Sequence, residues 1–207
     1  MENQIIRTSR IDHQAAYFNG QVFLKNENKS ALEFLDSIYE ELASPYPRYY
    51  KMDNLSKLGF LAAEILLKGL DFRKLGPGQT GVVLMNANSS LDTDLKYFQS
   101  TKEIPSPSLF VYTLPNIVIG EICIRNGFKG ENAFYISPSF DASFLVQYVN
   151  NLINNNILQS CICGWADFLK DDYESFLMLV ARKENNEPSS LLFDRDIVEK
   201  LYRVDHG

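Results

Sequence analysis

Histidine is nearly absent from this chain. Its 207 residues hold two, His13 and His206, near opposite ends. A nucleophile that relies on an imidazole base therefore has little to work with, and so does a zinc site, which needs about four ligands. Cysteine is scarce as well. Cys123, Cys161 and Cys163 make an odd count that supplies no disulfide framework. Cys161 and Cys163 alternate within a strand-like run and are expected on opposite faces of it, as small buried hydrophobes. Positive charge is in deficit. A net charge of -6 argues against general nucleic-acid binding, which needs basic patches to displace counterions from phosphates. No apolar run approaches the roughly 20 residues that span a bilayer, and Met1 to Arg7 lack the charged-then-apolar layout of a signal peptide. The expected location is cytoplasmic, with no membrane span. No Gly-x-Gly-x-x-Gly is present to cradle a phosphate. Neither a cofactor nor a metal is expected.

What is present is ordinary for a folded domain. Hydrophobic residues make up 45% and charged residues 22%, and the length suffices for one domain over 1–207 with its own core. Residues 1–20 are polar and poorly periodic, with a short strand and turn at Ala16 to Gly20. Gln21 to Leu24 continue an extended segment. Ser30 and Glu33 form a capping box, and Leu32, Leu35, Ile38, Tyr39 and Leu42 recur at helical spacing until Ser44 and Pro45 stop the helix. Tyr46, Tyr49 and Tyr50 lie in an aromatic loop that is a candidate partner-contact region. Asp53 or Asn54 caps a strong amphipathic helix with a stripe of Leu55, Leu58, Leu61, Ala62, Ile65 and Leu66.

Thr80 to Ala87 reads as a fully buried strand, continuous rather than alternating in apolarity. Leu91 to Lys102 is a short helix with Asp92 and Asp94 in its first turn. Pro105 and Pro107 punctuate a loop. Asn116 starts a helix that runs through Glu121 to Asn126 and ends at a left-handed Gly127. Glu121 reads as a solvated helical carboxylate. Gly120, which costs about 1 kcal/mol against Ala in a helix, is expected to permit close packing. Ala133 to Ser137 is a buried strand, Ser137 to Asp141 a turn, and a helix capped by Asp141 follows to about Asn154. Leu158 to Gly164 and Glu174 to Val180 are further strands. Residues 183–190 form a polar loop, and Leu191 to Val204 is either a helix or a strand pair.

The order of motifs from Pro105 to Asp167 resembles the N-terminal half of the β-ketoacyl synthases, of the thiolase-like superfamily. Lys51, Met52 and Asp53 ahead of a helix, and Gly164 with Asp167 after a strand, add to the resemblance. It covers roughly Lys51 to Val180, and it is similar in particular to the short forms of aryl-polyene and flexirubin-type pigment pathways. The resemblance implies an α/β fold: a thiolase-like half, with a layered mixed β-sheet covered by helices. It also implies a dimer, in which the strand at Ala133 pairs with its copy.

In that family a cysteine at a helix N-terminus holds an acyl group as a thioester, and two histidines from the C-terminal half assist decarboxylation. This chain departs from the pattern. Phe140 stands at the position of the nucleophile, and no matching C-terminal half is present. No catalytic residue is therefore assigned. The resemblance implies a non-catalytic accessory protein of fatty-acid or polyketide assembly. Its expected state is a homodimer, or a heterodimer with a full-length ketosynthase, with acyl carrier protein as a further partner. Ser137, Ser139 and Phe140 join the three tyrosines as candidate contact residues. The alternative is an acyltransferase or 3-oxoacyl-carrier-protein synthase-type enzyme using unorthodox residues, with Ser137, Ser139 or Cys123 taking the acyl group. A chain lacking the second half is also expected to expose a large apolar face.

Overall fold

The computed structural model describes residues 2–70, 76–182 and 190–204. The loop expected at 183–190 falls almost wholly outside them, and so does His206. One mixed sheet organises the chain. Strand β1 (Asn3–Ile11) is followed by the hairpin of β2 (Ala15–Phe18) and β3 (Gln21–Lys25). Helices α1 (Ala31–Leu42) and α2 (Asn54–Leu67) precede β4 (Thr80–Asn86). Three helices come next: α3 (Leu91–Ser100), α4 (Pro107–Val111) and α5 (Ile117–Asn126). Then come β5 (Asn132–Ile136), α6 (Ala142–Asn154), β6 (Ser160–Leu169), β7 (Asp172–Arg182), a two-residue β8 (Leu191–Leu192) and α7 (Arg195–Arg203).

The strand order is β3-β2-β1-β7-β6-β4-β5, with β8 beside β1. Pairing is antiparallel from β3 through β6 and parallel on both sides of β4. The chain leaves β4, crosses one face through α5 and enters β5. It then crosses the other face through α6 and enters β6, on the opposite side of β4. Consistently handed crossovers that reverse direction must use opposite faces, so β4 is a topological switch point.

The helical signals read from sequence hold at most ends. Ser30 N–H donates to Glu33 Oε2 at 3.0 Å, the backbone half of the expected capping box. Asp53 Oδ1 accepts from Ser56 N–H at 2.9 Å, and Asp141 Oδ1 accepts from Phe144 N–H at 2.9 Å. Gly127 adopts φ +71° after α5. Several readings need correction. Segment 1–20 holds β1, which lies inside the sheet between β2 and β7. Its buried polar residues hid it, and a bulge between Ile5 and Arg7 breaks its period. Ser9, for instance, is buried because its hydroxyl donates to Ala62 O at 2.8 Å. The C-terminal ambiguity resolves into a short strand and a helix. Pro107, expected in a loop, opens α4, where its fixed φ suits a first turn. The strand at Ala133 is an edge strand and only half-buried, because β4 is its one partner among the described residues.

Two cores lie on either side of the sheet. On one side Phe34, Leu35 and Ile38 of α1 join eleven buried residues of α2 and Val118, Ile119 and Ile122 of α5. Leu32, placed in the buried stripe from sequence, faces solvent because Ala31 and Phe34 take the inward positions. The expected close approach in this layer occurs at Gly59 rather than Gly120. A Cβ at Gly59 would sit 2.4 Å from Val118 Cγ2, whereas nothing lies within 4 Å of one at Gly120. On the other side Leu145, Val149 and Ile153 of α6 and Val198 of α7 cover Cys161, Cys163, Trp165, Phe176 and Met178. Cys161 and Cys163 thus share a face. The side-chain period of a strand is two, so residues i and i+2 point the same way, and the expectation of opposite faces was mistaken.

Among the described residues the expected large apolar face is not found over either core. Exposed Ser143, Gln147 and Asn151 line the outer side of α6. Arg195, Glu199 and Arg203 do the same on α7. Exposed apolar side chains concentrate instead in one stretch: Leu95, Phe98, Ile104, Phe110, Val111 and Leu114. Among the described residues no helix is long and apolar enough to cross a membrane.

A candidate functional site at the strand switch point

Open α/β sheets bind ligands outside the carboxyl ends of their parallel strands, at the point where strand order reverses. In this chain that place is a crevice of about 480 Å³. Ala87 follows β4, Pro138, Ser139 and Phe140 follow β5, and Trp165 and Asp167 come from β6. The far wall is Asp172 and Glu174 of β7 with Glu199, Tyr202 and Arg203 of α7.

The turn after β5 is built for a sharp reversal into α6. Ser137 N–H donates to Asn86 O at 2.9 Å, tying the turn to the end of β4. The Ser137 hydroxyl donates to Ser139 O at 2.7 Å. Asp141 then caps α6. At the head of this helix the Phe140 ring packs against three aromatic neighbours. Its centroid lies 4.3 Å from that of Tyr202, 6.3 Å from Trp165 and 6.2 Å from Phe176. The latter two contacts are edge-on, an arrangement favoured by ring quadrupoles.

Polar groups around this cluster are engaged with one another. Tyr202 Oη donates to Glu174 Oε2 at 2.9 Å, and Arg10 Nη1 donates to Glu174 Oε1 at 2.8 Å. Burial, followed by the Glu174 charge, pushes the Tyr202 hydroxyl well above its usual range. Arg10 Nη2 also donates to the carbonyl oxygen of Tyr202, and its guanidinium lies 5.3 Å from the Phe176 ring centroid. Asp167 accepts from Asn88 N–H at 3.1 Å and from Asn88 Nδ2 at 2.6 Å, so it fastens the loop after β4. Gly164 holds φ +153°, and a Cβ there would meet Phe176 O at 2.0 Å. The Gly164 and Asp167 pattern therefore has a local structural cause: close approach of β7, and anchoring of a loop.

The crevice has aromatic walls, and its Asp167, Glu174 and Glu199 carboxylates are paired. His13, the one histidine among the described residues, lies 3.4 Å from Asp172 on the exposed surface. Cys123 is on the other face of the sheet, and burial pushes its thiol up to about 11. No group of three or more His, Cys, Asp or Glu suited to a metal ion occurs among the described residues.

The six candidate contact residues do not converge. Ser137, Ser139 and Phe140 share the turn above. Tyr46, Tyr49 and Tyr50 lie on the α2 side of the sheet. Tyr49 is fully buried; its ring stacks on Tyr39 at 4.0 Å and its hydroxyl donates to Asp36 Oδ1 at 2.8 Å. Tyr46 is half-buried against Phe60, and only Tyr50 is largely exposed. Glu121 is also corrected: it is 3% exposed, not solvated, and accepts from Arg48 Nη2 at 2.9 Å and from Tyr112 Oη at 3.2 Å. Its position on the inner side of α5 puts it there. Sequence reasoning missed Arg10, Glu174 and Tyr202 as neighbours of Phe140. They are far apart in the chain, and only the strand order brings them together.

No protein-family model matches this chain, and no curated protein matches it in sequence. Solved structures do match in fold. The ishigamide ketosynthase/chain length factor aligns with a TM-score of 0.64 at 16% identity, over 90% of this chain and 64% of that one. A type II polyketide synthase acyl-carrier protein in complex with its ketosynthase bound to the hexaketide gives 0.60 at 15% identity, over 87% and 62%. A ketosynthase in complex with its chain length factor from Xenorhabdus doucetiae gives 0.57 at 10% identity, over 89% and 81%. This chain thus spans less than two thirds of the first two. Its mixed sheet and helices have the thiolase-like fold of the ketosynthases and chain length factors.

Proposed function

We propose that this protein is a non-catalytic, ketosynthase-like accessory protein of fatty-acid or polyketide assembly, of the aryl-polyene type. It works by binding a full-length ketosynthase, with acyl carrier protein as a further partner. The observation that carries this reading is Phe140. It occupies the turn at the head of α6, where the resembled enzymes hold a nucleophile, and it is packed against Tyr202 in an aromatic cluster. Packing has taken the place of chemistry.

Two features favour a protein partner. Strand β5 leaves one edge unpaired among the described residues, and such an edge is a template for pairing. The exposed apolar stretch from Leu95 to Leu114 is of the kind that marks interaction surfaces. Two structural neighbours are a ketosynthase with its chain length factor, which supports a ketosynthase as the occupant.

Native purification of the tagged protein from its source cells, with mass spectrometry of bound chains, tests the reading. Recovery of a full-length ketosynthase is expected, and its loss is expected in a Phe98→Asp, Phe110→Asp variant. Intact-mass analysis after exposure to acyl-carrier thioesters is expected to show no adduct. An acyl group on Ser137, Ser139 or Cys123 would sink the non-catalytic assignment.

A further inference from the structure

We propose that α7 is a displaceable strap, which docks over the aromatic floor of Phe140, Trp165 and Phe176 and lifts from it by local opening. This goes beyond the accessory role, since it concerns how the crevice opens.

Four observations carry it. First, α7 is held by one buried aliphatic side chain and by the partly buried Ile197, Leu201 and Tyr202. Val198 is its one fully buried residue, while α6, in the same layer, buries Ala142, Leu145, Val149, Leu152 and Ile153. Second, α7 has open space on both flanks. On one side is the switch-point crevice of about 480 Å³, walled by Glu199, Tyr202 and Arg203. On the other is a cavity of about 450 Å³, floored by Ile5, Thr8, Arg10 and Tyr17 and bordered by Leu201 and Val204. Phe176 lies beneath the helix between the two.

Third, α7 carries its own stabilisation. Asp194 Oδ1 caps it by accepting from Ile197 N–H at 2.9 Å. Glu199 is bracketed by Arg195 at 2.8 Å and Arg203 at 3.5 Å, one turn away on each side. Asp196 lies in the first turn and Lys200 and Arg203 in the last, which suits the helix dipole. Fourth, Glu174 loses the Tyr202 hydroxyl on undocking but keeps its ion pair with Arg10. Arg10 donates to the carbonyls of Leu201 and Tyr202 and also to Glu174. When α7 lifts, Arg10 keeps Glu174, so no lone charge is left on the sheet. Water takes over the freed carbonyls.

Lifting α7 joins the two cavities into one trough across β1, β7 and β6. Its floor mixes Ile5, Tyr17 and Trp165 with Thr8 and Arg10, and Glu174 stands at its wall. Its shape and chemistry fit an amphipathic helix that ends over Arg10, as α7 does.

Trp165 is the single tryptophan of the chain and lies in this floor, so it reports directly on the strap. In native-state hydrogen exchange of the full chain, α7 amides are expected to exchange at least ~10-fold faster than those of β6 and β7, through a local opening. Tyr202→Ala is expected to raise acrylamide quenching of Trp165 by about twofold or more without loss of the far-ultraviolet circular dichroism. Exchange of α7 only together with β7, through global unfolding, would overturn the proposal. So would unchanged quenching in a folded Tyr202→Ala chain. Should that variant fail to fold, exchange in the unaltered protein still decides.

Discussion

The two faces of the sheet are sealed by different means. On one, α2 is buried along almost its whole circumference, wedged between the sheet, α1 and α5, with Gly59 letting α5 come within contact of its backbone. On the other, α6 packs firmly and α7 lies loosely beside it, with a cavity on each flank. The first face resembles the interior of a much larger protein. The second is where the turn bearing Phe140 opens, and its cover is partly polar. Stability within one sheet is therefore expected to be uneven, with the weaker side at the crevice.

The widest separation between the faces should appear on truncating one buried aliphatic residue in each. Leu61→Ala on α2 is expected to cost about 2–5 kcal/mol, since a leucine with no exposure leaves a cavity that a fully enclosed helix cannot collapse. Val198→Ala on α7 removes fewer atoms beside existing voids and is expected to cost roughly 1–2 kcal/mol. Most of that loss should fall on local opening of α7 rather than on global unfolding. Urea denaturation followed by circular dichroism measures both. Equal global losses would erase the distinction.

Gly59→Val is the next largest. Its side chain would meet Val118 at a distance no real contact adopts, and overpacking of this kind costs about 1–3 kcal/mol. The paired variant Gly59→Val, Val118→Ala is expected to recover part of the loss, because the clash is with Val118 Cγ2. Gly120→Ala, where nothing lies within 4 Å, should by contrast stabilise the chain slightly, by about 0.5–1 kcal/mol.

A smaller effect concerns Asp53, at the head of α2. Burial raises its carboxyl above the ordinary 3.8, against the hydrogen bonds from Ser56 and Thr93 that lower it. Its folded form therefore holds a proton that the unfolded chain has already lost. The sign follows: stability falls as pH rises from about 3.8 through the higher folded value, and at neutral pH the buried carboxylate is a standing cost. Asp53→Asn keeps a capping oxygen and removes the charge. It is expected to flatten this part of the pH–stability curve, measured by thermal unfolding between pH 4 and 7. A steeper curve in the variant would contradict the assignment.

Much of the tight face was legible in the sequence, and so was α6 on the loose one, but the cover supplied by α7 was not. The stripe from Leu55 to Leu66, the capping residues Ser30, Asp53 and Asp141, and the continuous apolarity of β4 are local signals, and local physics decides them. Strand β1 was not legible. Ser9 and Arg10 look like surface residues until the carbonyl of Ala62 and the carboxylate of Glu174 are brought to them. Glu121 was misread for the same reason, as Arg48 and Tyr112 reach it only through tertiary packing. Phe140 stood out in the sequence as a residue out of place. That Tyr202, sixty-two positions later, would cover it was not readable, because no spacing rule links a turn after β5 to a terminal helix.

Cysteine chemistry offers the finest test of the two faces. Cys123 lies on α5, half-buried toward α2, and its thiol is pushed up to about 11. Only the thiolate reacts, so at pH 8 its alkylation is expected to be ~100-fold slower than that of an unperturbed thiol of pKa ≈ 8.5. Cys161 and Cys163 are fully buried beneath α6, and burial also drives the Cys163 thiol upward. They are expected to label only when α6 separates from the sheet. Iodoacetamide labelling followed by peptide mass spectrometry resolves the three sites. If α7 lifts alone, Trp165 becomes accessible while Cys161 and Cys163 stay unlabelled. If they label at the rate at which Trp165 becomes quenchable, α6 and α7 open as one unit, and the boundary between firm and loose packing lies at the sheet rather than within the helical layer.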